Sequence, residues 1–188
     1  MMQGKIKAAA MLACALLLNG SYASAEESFA GWLFNFQRTK EVKPVTDNTY
    51  RAECSDCHYA YPPGLLPEAS WRKLLDAEAL KDHFGDNAEL DKDVLRSVLD
   101  YAVENSADKS WHKRSRKIAQ ATAGGEAPLR ITEVRYIKRK HEEIPGKMIK
   151  GNKDVKSLSF CDKCHTQAAK GVFDEDTVRI PNYPEWED

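Results

Sequence analysis

The sequence predicts a mainly α-helical protein built as two small lobes, and three observations predict it. Apolar residues recur at three- and four-residue spacing in several segments. Alternation of apolar and polar residues long enough to make a strand is scarce, so little sheet is expected. The pattern Cys-x-x-Cys-His occurs twice, once from residue 54 and again from residue 161, which places one copy toward each end of the chain.

The chemistry of that pattern is local. Two thiols three positions apart can each add to one vinyl group of the same porphyrin, and the next residue turns its imidazole onto the iron. The sequence therefore predicts two covalently bound haem c groups, attached through Cys54 and Cys57 and through Cys161 and Cys164, with His58 and His165 as iron ligands. Structural zinc and thiol-disulfide exchange also use paired cysteines. A zinc ribbon spaces its pairs about 15 to 20 residues apart, whereas most of the chain separates Cys57 from Cys161. A thioredoxin-like site needs a βαβ context and has no use for a His after each pair.

Along the chain, residues 1–25 read as an export signal. Lys5 and Lys7 form a positive start, Ile6 and Ala8 to Leu18 an apolar core, and Ala23-Ser24-Ala25 a cleavage site, leaving Glu26 first. The apolar run is too short for roughly 30 Å of hydrocarbon, so the mature chain is expected not to insert stably in a membrane. Cys14 lies within the apolar core with three leucines still following, a poor position for lipidation.

Phe29, Trp32, Leu33 and Phe36 then recur at helical spacing. After the first motif, Tyr59 to Gly64 is a proline-stiffened loop, and Pro67 or Ser70 opens a helix through Trp71, Leu74 and Leu75. Asp91 opens another, with Val94, Leu95, Val98, Leu99 and Ala102 on one face. A Gly- and Ala-rich stretch, residues 121–128, is the expected seam, dividing an N-terminal haem lobe at 26–122 from a C-terminal one at 123–188. Thr132 with Glu133 reads as the N-cap and first turn of a helix carrying Val134, Ile137 and His141.

Loss of the signal removes Cys14 and leaves four cysteines, all in the two motifs, so no structural disulfide is expected. Lys5 and Lys7 go as well, leaving 26 Lys and Arg against 29 Asp and Glu. That acidic balance suits a basic partner surface, and no nucleic-acid partner is expected.

The ligand on the far face of each iron decides between a relay and a catalyst. Met148 is the one methionine left beyond the signal, so at most one iron can have His/Met ligation. His83 lies just ahead of the Asp91 helix, and His141 lies on the polar side of a short helix upstream of the second motif; these are the expected distal ligands. Proximity in sequence pairs His58 with His83 and His165 with His141. His112 falls in the basic run Lys109 to Lys117, which reads as a solvated face, with a propionate or partner contact as the alternative. Met148, after Pro145 and Gly146, reads as a packed residue. Arg51, Arg72, Arg130 and the Lys138-Arg139-Lys140 triplet are further candidate propionate or docking contacts, with ordinary surface charge as the alternative.

Several of these segments together resemble the periplasmic dihaem cytochromes c that partner a small oxygen-binding monohaem cytochrome. The resemblance rests on Glu53 to His58 running into Tyr61-Pro62-Pro63-Gly64-Leu65-Leu66-Pro67, on Trp71, on His83 to Ala88, on Arg139 to Pro145, and on the second motif followed by Gly171-Val172-Phe173. It implies bis-histidine ligation with distal ligands at His83 and His141, a cytochrome c-like N-terminal lobe and a less regular C-terminal one. It also implies electron relay rather than enzymatic turnover. The expected donor is a membrane cytochrome or other quinol-linked protein, and the expected acceptor a soluble monohaem cytochrome or reductase. A dihaem peroxidase or reductase with one open haem site is the alternative; such enzymes are usually considerably longer. The small dihaem subunit of a periplasmic nitrate reductase sets its motifs closer together.

Overall fold

The computed structural model describes residues 40–186. The expected export signal, Cys14 and the Phe29–Gln37 segment lie outside the described residues. Seven α-helical segments, joined by short 3₁₀ turns and irregular loops, make up what is described. No β-strand occurs among these residues, and two isolated antiparallel bridges, His83 with Asp86 and His165 with Val178, are the sheet-like pairings.

Helix α1, Asn48–Ser55, is short and polar. Apolar periodicity gives no sign of it, because Tyr50 is its buried residue. Its mark in the sequence is the cap: the Asp47 carboxylate accepts the Tyr50 N–H at 2.7 Å. The last turn of α1 delivers Cys54 and leads into His58. Helix α2, Glu68–Leu74, follows Pro67 and buries Ser70, Trp71 and Leu74, and the Trp71 indole N–H donates to the Pro63 carbonyl at 2.8 Å. Helix α3, Lys92–Glu104, follows Asp91 as expected, with Val98, Ala102 and Val103 buried and Val94, Leu95 and Leu99 packed alongside. Both α1 and α2 pack on α3.

Two expectations need correction. The basic run at 109–117 is not a solvated face throughout: it opens α4, Lys113–Ala121, which buries Ser115 and Ile118, and His112 just ahead of it is 8% exposed. Arg114 turns inward to Glu41, with side chains 15% and 10% exposed. Thr132 is not a helix cap either. It lies inside the 3₁₀ turn Ile131–Glu133, and α5 runs over Arg135–His141. Between them Val134 leaves helical geometry (φ −57°, ψ 120°) and sits 1% exposed, so burying that side chain takes precedence over continuing the turn into a helix. The four-residue segments α6, Gly146–Ile149, and α7, Cys161–Cys164, complete the set, and Met148 is buried in α6.

A single hydrophobic cluster joins Tyr50, Leu65, Trp71, Val98 and Ile118 to Val134, Tyr136, Ala168 and Phe173, so residues before and after 121–128 share one core. Gly171 helps close it. Its carbonyl accepts the N–H groups of Glu41 and Val42 at 2.9 and 3.1 Å. Its φ is +76°, and a Cβ there would lie 2.1 Å from the Val42 carbonyl oxygen, so only glycine fits.

Candidate haem sites

At the first site α1 carries Cys54, and the chain leaves the helix with Cys57 exposed and His58 half-buried. The His58 Nδ1 bonds the Tyr59 carbonyl at 2.8 Å, which leaves Nε2 to face outward from the turn. The Tyr61 ring stacks on the imidazole, centres 4.8 Å apart and planes 27° apart. His83 comes from a tight turn. His83 N–H donates to the Asp86 carbonyl at 2.7 Å, and the Gly85 N–H to the Asp82 carboxylate at 2.9 Å. Phe84 at the tip adopts φ +60°, a conformation that a bulky side chain rarely takes. The Arg130 guanidinium lies 3.9 Å from the centre of its ring. Strain of this kind persists where the surroundings enforce it; here it presents His83 toward His58, ring centres 6.5 Å apart and planes 23° apart.

At the second site α7 carries Cys161 and Cys164. The His165 N–H donates to the Cys161 carbonyl at 2.8 Å, and the Arg179 N–H to the Cys164 carbonyl at 2.9 Å. Phe173 packs against the His165 ring at 5.3 Å. His141 ends α5, with Nδ1 bonded to the Ile137 carbonyl at 2.8 Å. The rings of His141 and His165 are 6.0 Å apart at their centres, with planes 72° apart.

Electrostatics favour neutral imidazoles, the form that binds a metal. Burial, then His58 and Arg130, lowers the His83 pKa. Burial, then His141 and Arg114, lowers that of His165 to about 4. Burial likewise pushes the Cys54 and Cys161 thiols up to about 12, a titration that ends once each sulfur becomes a thioether.

Two imidazoles on opposite faces of one iron, each with a metal–nitrogen bond of about 2.0 Å, put their ring centres about 6.3 Å apart. Both observed separations match that spacing. The His165 Nδ1 is buried with no hydrogen-bond partner, unlike the Nδ1 atoms of His58 and His141, which backbone carbonyls hold. Among the described residues, no group of three or more His, Cys, Asp or Glu side chains gathers around a metal-ion position, so two facing imidazoles are what the chain offers at each site. The residues present fit haem c.

The family model for dihaem cytochrome c matches residues 50–173, a span that holds both motifs, His83 and His141. The chain belongs to the dihaem cytochrome c family. Among solved structures it is similar to a dihaem cytochrome c from Shewanella baltica OS155, at 40% identity over 74% of this chain and 97% of that one, with a TM-score of 0.60. It is also similar to a dihaem cytochrome c from Rhodobacter sphaeroides, at 39% identity over 70% of this chain and 100% of that one, with a TM-score of 0.61. No match was found among curated proteins. As a dihaem cytochrome c the protein carries two covalently bound haem groups, and its helical, strand-free described fold agrees with the class that its sequence predicts.

The two motifs of this dihaem cytochrome c open onto one cleft of about 560 Å³. Cys57, His58 and Tyr59 line it from the first motif, and Phe160, Asp162 and Lys163 from around the second. Arg51 also lines it, with its guanidinium donating to the Val45 carbonyl and to Asn48. Of the other candidate contacts, Arg72 pairs with Glu68, and Lys140 lies 3.8 Å from Glu175. His112 faces neither His58 nor His165 as His83 and His141 do: it stacks on Trp111 at 4.3 Å, and its Nδ1 lies 3.2 Å from the Ser110 hydroxyl. The sequence marks Tyr61 and Phe173 within the resembling segments but gives them no role at either site, and it gives no sign of Glu41; their roles arise from partners far along the chain.

Proposed function

We propose that this protein is an exported one-electron relay in which each iron is closed by two imidazoles, His58 with His83 and His165 with His141. The observation that carries this reading is the pair of ring-centre separations, 6.5 and 6.0 Å, against the roughly 6.3 Å required by trans ligation of one metal. Haem, when bound, supplies reversible one-electron exchange. The chain's residues fix the imidazoles: backbone carbonyls hold Nδ1 of His58 and His141, and the strained turn at Phe84 holds His83. Two imidazoles on each iron would leave no coordination position for a substrate, which would separate a carrier from a peroxidase. Ligand sets that stay the same on reduction require little rearrangement.

Export into the periplasm fits the signal-like start of the sequence and the need to attach haem c outside the cytoplasm. Among the described residues no helix is long and apolar enough to cross a membrane. The partners we propose are a membrane cytochrome or other quinol-linked donor and a soluble monohaem cytochrome or reductase as acceptor. The test is optical and electron paramagnetic resonance spectroscopy of the exported holoprotein, with and without carbon monoxide. Two low-spin bis-imidazole signals and no carbon monoxide shift are expected. A high-spin fraction that binds carbon monoxide overturns the relay and favours a dihaem peroxidase or reductase.

A further inference from the structure

We propose that Tyr61 is a positioning residue shared by the two haem sites: its ring sets the orientation of His58 at the first, and its hydroxyl holds the attachment loop of the second. The proposal rests on the reading of His58 and His165 as iron ligands. The ring stacks on His58 at 4.8 Å, and the hydroxyl donates to the Ser159 carbonyl, 98 residues away and two before Cys161. Within that loop the Ser159 N–H donates to the Ser157 hydroxyl at 2.9 Å and the Phe160 N–H to the Ser157 carbonyl at 3.2 Å. Those bonds shape the loop without tying it to the rest of the fold. The tyrosine hydroxyl supplies that tie.

Tyr61 can transmit position because its own backbone is anchored. Its carbonyl accepts the hydroxyl of Tyr50, a side chain 1% exposed, at 2.8 Å. Pro62 and Pro63, which follow, are both nearly fully buried and restrict the backbone at that point. Tyr59 packs edge-on against the Tyr61 ring, centres 5.8 Å and planes 85° apart, while its carbonyl holds the His58 Nδ1. The His58 imidazole is thus fixed at one nitrogen and one face by two neighbouring tyrosines, and one of these reaches across to the second motif. A phenylalanine would stack equally well, so the hydroxyl is the part of this residue that serves the second site.

Tyr61→Phe and Tyr61→Leu separate the two roles in the haem-loaded protein. Low-temperature electron paramagnetic resonance distinguishes the sites, because nearly parallel imidazole planes (23°) give a rhombic low-spin signal and nearly perpendicular ones (72°) a much more anisotropic one. Tyr61→Phe is expected to leave the rhombic signal superimposable on wild type and to shift the anisotropic signal and its redox titration step. Tyr61→Leu shifts both. A Tyr61→Phe protein whose two signals and two titration steps all coincide with wild type overturns the tyrosine assignment while the ligand reading stands. So does one in which the rhombic signal moves as far as the other. High-spin, carbon monoxide-binding iron in the wild type overturns the ligand reading and the assignment with it.

Discussion

Removing the Glu41 carboxylate is the perturbation with the clearest expected size. Glu41 lies at the start of the described chain, yet its carboxylate accepts two bonds from Arg114 at 2.9 and 2.8 Å and the Phe173 N–H at 3.1 Å. The same guanidinium donates to the Phe173 carbonyl at 3.1 Å and to the Tyr136 hydroxyl at 3.0 Å. With both side chains this deeply buried, Glu41→Ala strands a cation and orphans a backbone donor, a loss of about 3–5 kcal/mol. At a urea dependence of about 2 kcal/mol per molar, the unfolding midpoint should fall by roughly 2 M. Far-ultraviolet circular dichroism of the holoprotein against urea reads this directly. Glu68→Ala, which removes solvent-exposed ion pairs to Arg72 and Lys109, is the control and should leave the midpoint nearly in place. Because Phe173 packs on His165, the second haem's low-spin signal should broaden in Glu41→Ala while the first keeps its shape. A Glu41→Ala loss below about 1 kcal/mol would refute the reasoning, since that is the size expected of an exposed pair.

Four further outcomes follow from the same geometry. His141→Ala should open one iron, giving a high-spin fraction that binds carbon monoxide at half the stoichiometry of haem, and His83→Met should instead raise one potential, read by spectroelectrochemical titration. Gly171→Ala forces a Cβ into the Val42 carbonyl at a positive φ and should cost about 3 kcal/mol or prevent accumulation of folded protein, as measured by the same urea titration. Burial, then Lys43 and Lys40, lowers the His112 pKa below its ordinary 6.5. The unfolded chain therefore binds the extra proton first, and stability falls as pH drops from about 6.5 toward the lowered value. His112→Gln should flatten that stretch of the midpoint-against-pH curve, and an unchanged slope would show that His112 does not contribute it.

Much of the fold was legible where its cause is local. Helix α3 follows Asp91 because the apolar positions from Val94 to Ala102 recur at helical spacing, and α2 follows Pro67 for the same reason. Helix α1 carries too few buried residues for periodicity to reveal, and its one sequence mark is the Asp47 cap. Thr132 resembled a cap but yielded to the burial of Val134, a competition between a local preference and a core that the local window does not contain. The basic run at 109–117 is solvated at Lys109, Lys113, Arg116 and Lys117 but not at Arg114, because charge pattern does not reveal that Arg114 meets Glu41, 73 residues away.

Haem attachment belongs to the sequence alone. A Cys-x-x-Cys-His pentapeptide holds both thiols and the proximal imidazole within one turn of chain, so its chemistry needs no distant partner. The distal histidines occupy an intermediate position. Composition narrowed them to His83, His112 and His141, and the tertiary structure faces His83 to His58 and His141 to His165 while turning His112 toward Trp111. The 23° and 72° angles between facing rings, the shared cleft and the Tyr61 bridge to Ser159 were decided by tertiary structure, because each depends on segments distant in sequence, 98 residues apart at the Tyr61 bridge. Local spacing specifies which atoms can bond to a haem; only packing of the whole chain specifies how two such sites are held against each other.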